Sequence, residues 1–592
     1  MLVIDPPGQT PVGSPGSRRD TRRAHLVRRG WARIPRWVRW GAGSGVVAWL
    51  PLIGGLVALL RAGWAPIADE TTISWRSWDV FAGHGPLVGP LTAASLDLHH
   101  PVFDPGPLLY WTLAIPVHLT PRTGLLIGVT LLGMASVLTA CLAAATVGRA
   151  VAVIVGLGAV IMGWSVSAQL DFSIWNPYAA LAPFGATLIV AWAVAAGRLG
   201  WWPCLVLLAS FCAQAHLMYV PASVVLLVVA PLLGVVAVRR SRRVAGWRWA
   251  AAGTAVGAVC WAAPVWQQFT ASRGNLSALL TAAISPRSTV GLDVGLKNLS
   301  RAVAPPRPVW LQPPALVNFP PDKFPLEGPS VAWAIVTLAA LVIVGGLGYW
   351  RKHHAVTAIS VVALVGDLSA VWVMGGIPVN RLVASLYMQY LLWPVGAMTW
   401  FALGYALVAL ARRRLAAFPS TRLTASPGLT GRATAALGLT LVVAAAFATH
   451  WQYRDAASLA GLSASGWRTR LTEAADRIAA LVGTAPSHGN TRLAIETPAP
   501  WSFDAWLLAT RSAYLLRVRG WSPAPIALDM RAQLDPVYSP RPEDPVLGVT
   551  AGSVPAGAQL LGVVDYRETV LFQDATRAVH RTVWLRPPRK PA

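Results

Sequence analysis

Residues 123–147 read TGLLIGVTLLGMASVLTACLAAATV, a run that contains no charged side chain. A helix rises 1.5 Å per residue, so a run of this length crosses a hydrocarbon core of roughly 30 Å. Similar runs lie near 41–60, 220–238 and 433–449. The sequence therefore predicts several helices that span a membrane.

The composition agrees with this interpretation. Of the 592 residues, 55% are hydrophobic and 12% are charged, and the mean hydropathy is +0.52. Soluble domains normally carry about 25% charged residues. We therefore predict an all-α polytopic membrane protein with a small C-terminal domain, rather than a soluble enzyme.

The net charge of +25 is distributed in short clusters between the apolar runs. Nine arginines lie between Arg18 and Arg39, and later clusters follow at Arg239 to Arg243 and at Arg412 to Arg414. This spacing is typical of the positive-inside pattern of cytoplasmic loops. It argues against nucleic-acid binding, which needs a basic patch on a folded surface.

The apolar runs and the basic clusters together predict about eleven transmembrane helices with a cytoplasmic N-terminus. The expected spans are 40–61, 123–147, 150–165, 177–196, 200–219, 220–238, 249–266, 329–350, 355–375, 386–411 and 433–450. An odd number of spans places the C-terminal region outside the cytoplasm.

Three regions follow from this topology. Residues 1–39 form a disordered basic cytoplasmic tail, because they are rich in Pro, Gly, Ser and Arg. Residues 40–450 form the membrane domain, with large outside loops at 62–122 and 267–328. Residues 451–592 form a small extracytoplasmic α/β domain.

Within the C-terminal region, local patterns predict one helix and three strands. The helix covers Trp467 to Val482, where apolar residues recur at helical spacing. Strand-like runs cover Arg492–Glu496, Gln559–Val564 and Thr582–Leu585.

No metal or cofactor motif is evident in the sequence. The four cysteines lie inside predicted spans and form no Cys-x-x-Cys or Cys/His cluster. There is no Gly-x-Gly-x-x-Gly after a strand and no P-loop. We therefore expect neither a metal site nor a cofactor.

Candidate catalytic residues lie directly after the first span, where Asp69 and Glu70 are adjacent. Two neighbouring carboxylates at a membrane surface are costly to desolvate, and one explanation is that Asp69 acts as a general base. The alternative is an ordinary polar pair at a helix end. His99 and His100 either bind a phosphate or sugar hydroxyl, or form a turn before Pro101.

Further polar and aromatic residues admit two interpretations. Trp75, Trp78 and Trp111 either stack on a sugar or pack within the protein. Asp367 lies in the middle of the span 355–375, where an ionisable residue lines a cavity or pairs with a neighbouring helix.

The first 220 residues resemble the GT-C superfamily of polyprenyl-phosphate-sugar-dependent glycosyltransferases, which includes protein mannosyltransferases and aminoarabinose transferases. The resemblance consists of the order of several short motifs. These are Asp69-Glu70, His99-His100-Pro101, the Pro-Gly-Pro-Leu-Leu-Tyr-Trp run at 105–111, Asp171 with Trp175-Asn176-Pro177, and Gln214-Ala215-His216.

The resemblance implies the function and the site. Asp69 is expected to be the base, with Glu70 as its neighbour, and His99, His100, Asn176, Gln214 and His216 are expected to bind substrate. The expected partners are a polyprenyl-phosphate sugar donor, membrane lipid, and a glycan, lipid or protein acceptor. Apart from Arg76, no basic residue lies near Asp69 in the sequence, so Arg301, Lys297 and Arg381 are candidates for binding the donor phosphate.

Two functions from other classes stay open. A transporter or flippase of a lipid-linked saccharide would show internal repeats and broken helices at mid-membrane. A non-catalytic scaffold would leave the polar motifs of the outer face without a role. The location of those motifs on one side of the membrane favours the transferase.

Overall fold

The computed structural model describes residues 34–166, 174–238, 240–312, 329–417, 427–464, 467–486, 491–496, 503–525, 539–550, 553–569 and 576–587. The predicted disorder over residues 1–33, most of the Pro-rich part of the second outside loop, and Asp171 lie outside these residues.

The membrane domain is a bundle of helices. Its first half contains α1 (Arg36–Ala48), α2 (Leu50–Arg61), α3 (Asp69–Asp79), α4 (Ala94–Leu98), α5 (Leu108–Leu119), α6 (Gly124–Val147), α7 (Arg149–Val166), α8 (Asn176–Ala179), α9 (Leu181–Ala195), α10 (Trp202–Ala215) and α11 (Val220–Ala237). Its second half contains α12 (Arg240–Thr270), α13 (Asn275–Ile284), α14 (Leu292–Val303), α15 (Val331–Trp350), α16 (His354–Gly375), α17 (Leu392–Ala417) and α18 (Pro427–Ala464).

The polytopic membrane fold is confirmed. Among the described residues, ten helical segments are long and apolar enough to cross a membrane, and α1 and α2 together form the first of them. The expected span 200–219 differs, because its helical segment covers only Leu199–Ala215 and falls into the shorter apolar class. The last span continues beyond residue 450, because α18 reaches Ala464.

Small residues allow the first span to approach α6 closely. A Cβ atom at Gly41 would lie 2.9 Å from the Cα of Leu142, and one at Gly45 would lie 3.1 Å from the Cα of Leu138. Larger side chains at these positions would push the two helices apart. This spacing of small residues is a common way to pack helices in lipid, where burial of apolar surface gives no driving force.

The C-terminal region folds into an α/β domain with its own apolar core. Its elements are α19 (Trp467–Val482), β1 (Arg492–Ile495), α20 (Phe503–Val518), β2 (Ser522–Pro525), β3 (Val546–Thr550), β4 (Gln559–Thr569) and β5 (Thr576–Arg586). The sheet order is β2-β1-β3-β5-β4. β1 is parallel to β2 and β3, whereas β5 is antiparallel to β3 and β4. Helices α19 and α20 pack against each other, and α19 also covers β4.

The sequence prediction of this domain is confirmed in part. Helix α19 has the predicted bounds, and the predicted strands lie within or overlap β1, β4 and β5. Three elements were missed: α20, β2 and β3. Strand β2 contains Pro523 and Pro525 and lies at the edge of the sheet, the place where a strand tolerates proline.

Candidate active site

Asp69 is the first residue of α3, and the chain is bent sharply just before it. Ala68 has φ 53° and ψ −133°, a conformation that is strained for a residue with a Cβ. Glu70 holds the bend, because its Oε2 accepts a hydrogen bond of 3.0 Å from the backbone N–H of Ile67. Carboxylates at a helix N-terminus also interact favourably with the helix dipole. The local structure thus fixes the position of both acids.

The electrostatic environment of Asp69 suits a general base. Its side chain is half-buried. Burial, and secondly the charge of Glu70, raise the pKa of the Asp69 carboxyl from 3.8 to about 6. A base of this strength is ionised at neutral pH and still has affinity for a proton, which is the balance that general base catalysis requires.

The two adjacent acids point in different directions. Successive residues of a helix are separated by about 100°, so Asp69 and Glu70 occupy different faces of α3. Asp69 lies within electrostatic range of the buried Tyr110 of α5. Glu70 lies within electrostatic range of Arg511 of the C-terminal domain. One face of α3 therefore belongs to the membrane domain and another to the C-terminal domain.

On the Asp69 side, Tyr110 connects α3 to a second acid, Asp104. Burial raises the pKa of the Tyr110 hydroxyl; the charge of Arg76 lowers it, and the charges of Asp104 and Asp69 raise it. The hydroxyl is therefore within electrostatic range of these three ionisable groups. Asp104 was missed by the sequence analysis, although it directly precedes the Pro-Gly-Pro run on which the resemblance partly rests.

Asp104 is fully buried and is held by amide groups. Its Oδ2 accepts a hydrogen bond of 2.8 Å from Nδ2 of Asn176, which also donates to the carbonyl of Ala215 at 2.8 Å. Asn275 fixes the backbone beside it, with hydrogen bonds of 2.9 and 3.0 Å to Phe103. Burial raises the pKa of Asp104 well above its usual range, while the Leu217 backbone and Asn176 lower it.

Two of the predicted binding residues, Asn176 and His216, belong to this region. His216 accepts a hydrogen bond at Nδ1 from the backbone of Met218, so its proton lies on Nε2, which is 3.2 Å from the hydroxyl of Tyr387. Burial lowers the pKa of His216 to about 4, so the ring is neutral at neutral pH. Trp175 packs edge-on against Tyr387 at 4.6 Å.

Arg381, predicted from a later outside loop, joins the same region. Tyr387 lies within electrostatic range of both Asp104 and Arg381. The guanidinium of Arg381 donates a hydrogen bond of 2.8 Å to the carbonyl of Ala93 in the first outside loop. The segment 62–122 and the segment that carries Arg381 therefore meet here.

Gln214 lies close by, and its amide group joins two helices. Its Nε2 donates a hydrogen bond of 2.8 Å to the carbonyl of Cys260, which ties α10 to α12. A Cβ atom at Gly106 would collide with its Oε1, so glycine is needed for the approach of the Pro-Gly-Pro run.

Four other predicted residues lie at the end of α4 and on α14. His99 is exposed at the end of α4 with φ 55°, and the Nδ1 of His100 is 3.2 Å from the neighbouring carbonyl of Pro101. Lys297 forms an ion pair of 2.6 Å with Asp293 on the surface of α14. Arg301 lies further along the same helix, with a buried Nε.

The aromatic and mid-membrane candidates have packing partners. Trp75 is fully buried in the core of the C-terminal domain, so its ring is not accessible to a sugar, and one face of the Trp78 ring stacks on His118 at 4.2 Å. Asp367 accepts a hydrogen bond of 2.8 Å from Thr399, which links α16 to α17. Asp367 therefore pairs with a neighbouring helix, which is one of the two interpretations that the sequence left open.

An apolar cleft opens within the membrane domain between six of its helices. It is lined by α1, α2, α6, α7, α8 and α9, including Leu52, Val129, Val160, Met162 and Tyr178. Tyr178 packs edge-on against Trp175 at 5.4 Å, so the cleft ends beside the aromatic residues around His216.

Comparison with protein-family models and with curated proteins finds no match. Among the described residues there is also no group of three His, Cys, Asp or Glu side chains that fits a metal ion.

Proposed function

We propose that the protein is a membrane glycosyltransferase that transfers a sugar from a polyprenyl phosphate to an acceptor. The observation that carries this proposal is Asp69: a half-buried carboxyl, fixed at the start of α3, whose pKa is raised to about 6. The resemblance of the motif order to GT-C transferases supports the same role.

The reaction needs few groups. Asp69 accepts the proton of an acceptor hydroxyl, whose oxygen forms a bond to the anomeric carbon of the sugar. The bond from that carbon to the phosphate oxygen breaks, and the polyprenyl phosphate leaves with the electron pair. The donor already carries a good leaving group, so orientation and charge stabilisation supply the rest of the catalysis.

Arg381 is the strongest candidate for binding the donor phosphate. It lies on the Asp104–Tyr387 side of the site, where His216 and Asn176 also lie. Lys297 is less suited, because its ammonium is paired with Asp293. The apolar cleft that ends at Tyr178 suits the isoprenoid chain of the donor, since its lining residues are mainly apolar.

The proposed function requires a protein of the cell membrane whose N-terminus is cytoplasmic and whose C-terminal domain lies outside the cytoplasm. The motive is the clustering of arginines in alternate loops. A phosphatase reporter fused after Arg243 should be inactive, and one fused after Val482 should be active. The opposite pattern would place Asp69 in the cytoplasm and would contradict the proposed reaction.

Replacement of Asp69 by Asn tests the catalytic role. Asn keeps the size of the side chain but does not take up a proton at neutral pH, so transfer should fall by about 10²–10⁴-fold. The measurement is release of polyprenyl phosphate from a panel of polyprenyl-phosphate hexoses and pentoses by the purified protein. Donor affinity should change little, because chain and phosphate supply most of the binding.

Asp293→Asn is the matched control, since Asp293 is an exposed acid on the surface of α14. It should transfer sugar at the wild-type rate. An Asp69→Asn variant that folds normally and also transfers at the wild-type rate would disprove the assignment of the base.

A further inference from the structure

Four aromatic side chains form a continuous row between the 3₁₀ helix Val383–Leu391 and the segment that leads into α9. The ring centres of Tyr387 and Trp175 are 4.6 Å apart, and those of Trp175 and Tyr178 are 5.4 Å apart. Tyr390 packs edge-on against Tyr178, also at 5.4 Å. We call these four residues the aromatic row.

The aromatic row is fixed at one end and accessible along its length. Its four residues are each half-buried. Trp393, whose ring centre lies 4.9 Å from that of Tyr390, is fully buried, and its Nε1 donates a hydrogen bond of 3.0 Å to Ser165. By contrast, Phe184 and Tyr219, which pack against each other at 4.9 Å in the core, are both 0% exposed. The row therefore keeps ring surface that the protein itself does not cover.

The two ends of the aromatic row differ in polarity. Tyr178 lines the apolar cleft. At the other end, the hydroxyl of Tyr387 lies 3.2 Å from Nε2 of His216, and Trp175 directly precedes the buried amide of Asn176. A ligand along the row would meet apolar surface at one end and hydrogen-bonding groups at the other.

The sugar of a lipid-linked donor fits this surface. One face of a sugar ring presents C–H groups, whose partial positive charge is attracted to the negative face of an aromatic ring. The hydroxyl groups around the ring need hydrogen-bond partners. Binding sites for small molecules combine aromatic surface with a few polar groups in the same way.

We propose that the aromatic row is the binding site for the sugar ring of the donor, a pyranose or furanose joined through phosphate to a polyprenyl chain. The proposal rests on the proposed function, in which the apolar cleft holds that chain. Tyr178 belongs to both the cleft and the row, so the sugar would lie directly beyond the end of the cleft.

The test compares two lipids that differ only in the sugar. One is undecaprenyl phosphate esterified to a hexose or a pentose, and the other is undecaprenyl methyl phosphate. Both are phosphodiesters with one negative charge and the same chain, so the difference in Kd reports the sugar. Binding to the purified full-length protein is measured without an acceptor. The wild type should bind at least one sugar lipid of the panel more tightly than the methyl lipid.

Trp175→Leu removes the ring that contacts both Tyr387 and Tyr178 but keeps an apolar side chain. The Kd for the preferred sugar lipid should rise by about 3–10-fold, which is the usual contribution of one aromatic contact. The Kd for the methyl lipid should stay at the wild-type value. Trp175→Phe, which restores a ring, should recover most of the affinity for the sugar lipid.

Tyr405 on α17 provides the matched control. It is also half-buried, but its ring packs against Trp192 at 5.1 Å and Phe401 at 6.4 Å, in a different aromatic group. Tyr405→Leu should leave the Kd of both lipids unchanged.

Three results would overturn the inference. They are equal affinities of the wild type for the methyl lipid and every sugar lipid, a Trp175→Leu protein that keeps the wild-type affinity for the sugar lipid, and an equal loss for both lipids. If Trp175→Leu does not fold, Tyr387→Leu takes its place under the same criteria. The proposed function fails separately: wild-type transfer by Asp69→Asn would refute it and would leave sugar-dependent binding unchanged.

Discussion

Asp79 and Asp104 are both fully buried acids of the first outside loop, yet the protein surrounds them differently. Asp79 lies at the junction with the C-terminal domain, among Arg76 at 3.2 Å, Arg517 at 3.4 Å and His84 at 3.6 Å. Asp104 lies inside the membrane domain and is bound by the amide of Asn176 at 2.8 Å. Charged side chains surround the Asp79 carboxyl, whereas the neutral amide of Asn176 binds the Asp104 carboxyl.

The difference shows what each acid contributes. Two guanidinium groups from separate parts of the chain converge on Asp79, so this acid joins α3 to α20. For Asp104, burial without a cation raises the pKa well above its usual range and favours the neutral acid. A neutral acid orders the backbone around it without the cost of burying a charge.

The largest loss of thermal stability is expected for Asp79→Asn. The substitution removes the carboxylate charge with which both Arg76 and Arg517 pair. Breaking a buried ion pair by removing one partner costs about 3–5 kcal/mol. Thermal unfolding should begin at a lower temperature, and limited proteolysis should release the C-terminal domain more readily.

Asp565→Asn provides the control for that experiment, because Asp565 pairs with His580 on the exposed surface of the sheet. Exposed pairs contribute little to stability, so proteolysis should follow the wild-type course. Equal resistance of Asp79→Asn and the wild type would mean that the two domains are held together mainly by apolar contacts around Trp75.

A much smaller loss of stability is expected for Asp104→Asn at pH 4, about 1 kcal/mol or less, because Asn still accepts the hydrogen bond from Asn176. The effect should also depend on pH. The pKa of Asp104 is higher in the folded than in the unfolded chain, so its contribution to stability is complete below its ordinary value of 3.8 and is lost as the pH rises toward the folded value.

The variant has no group to ionise at position 104 and does not suffer this loss. The stability of Asp104→Asn relative to the wild type should therefore improve from pH 4 to pH 8, as measured by thermal unfolding. A relative loss of stability on raising the pH would show that the wild-type carboxylate is stabilised in its ionised form.

The sequence was sufficient for the membrane fold, because the apolar runs are long and the solvent imposes the helix. It was also sufficient for α19, whose apolar residues recur at helical spacing. It was insufficient for β2, since Pro523 and Pro525 suppress any strand signal. The short helical segment at Leu199–Ala215 shows that hydropathy predicts a span better than it predicts the length of that span.

Fewer of the residues in the candidate site could be predicted from the sequence. Asp69 and Asn176 belonged to recognisable motifs, whereas Asp104 and Arg511 did not. Their surroundings arise only when distant segments pack together, and no local pattern encodes such contacts. Adjacency in the sequence was even misleading for Asp69 and Glu70, because the helical turn sends them toward different domains.

The ion pair between Asp79 and Arg517 also has a consequence for biosynthesis. The two residues are 438 positions apart in the chain. At about 5–20 residues per second, a ribosome needs about 20–90 s to add Arg517 after Asp79 has been made. During that interval α3 exists without its partner helix. The junction between α3 and the C-terminal domain is therefore completed late in synthesis, and a chain released early would carry Asp79 without Arg517.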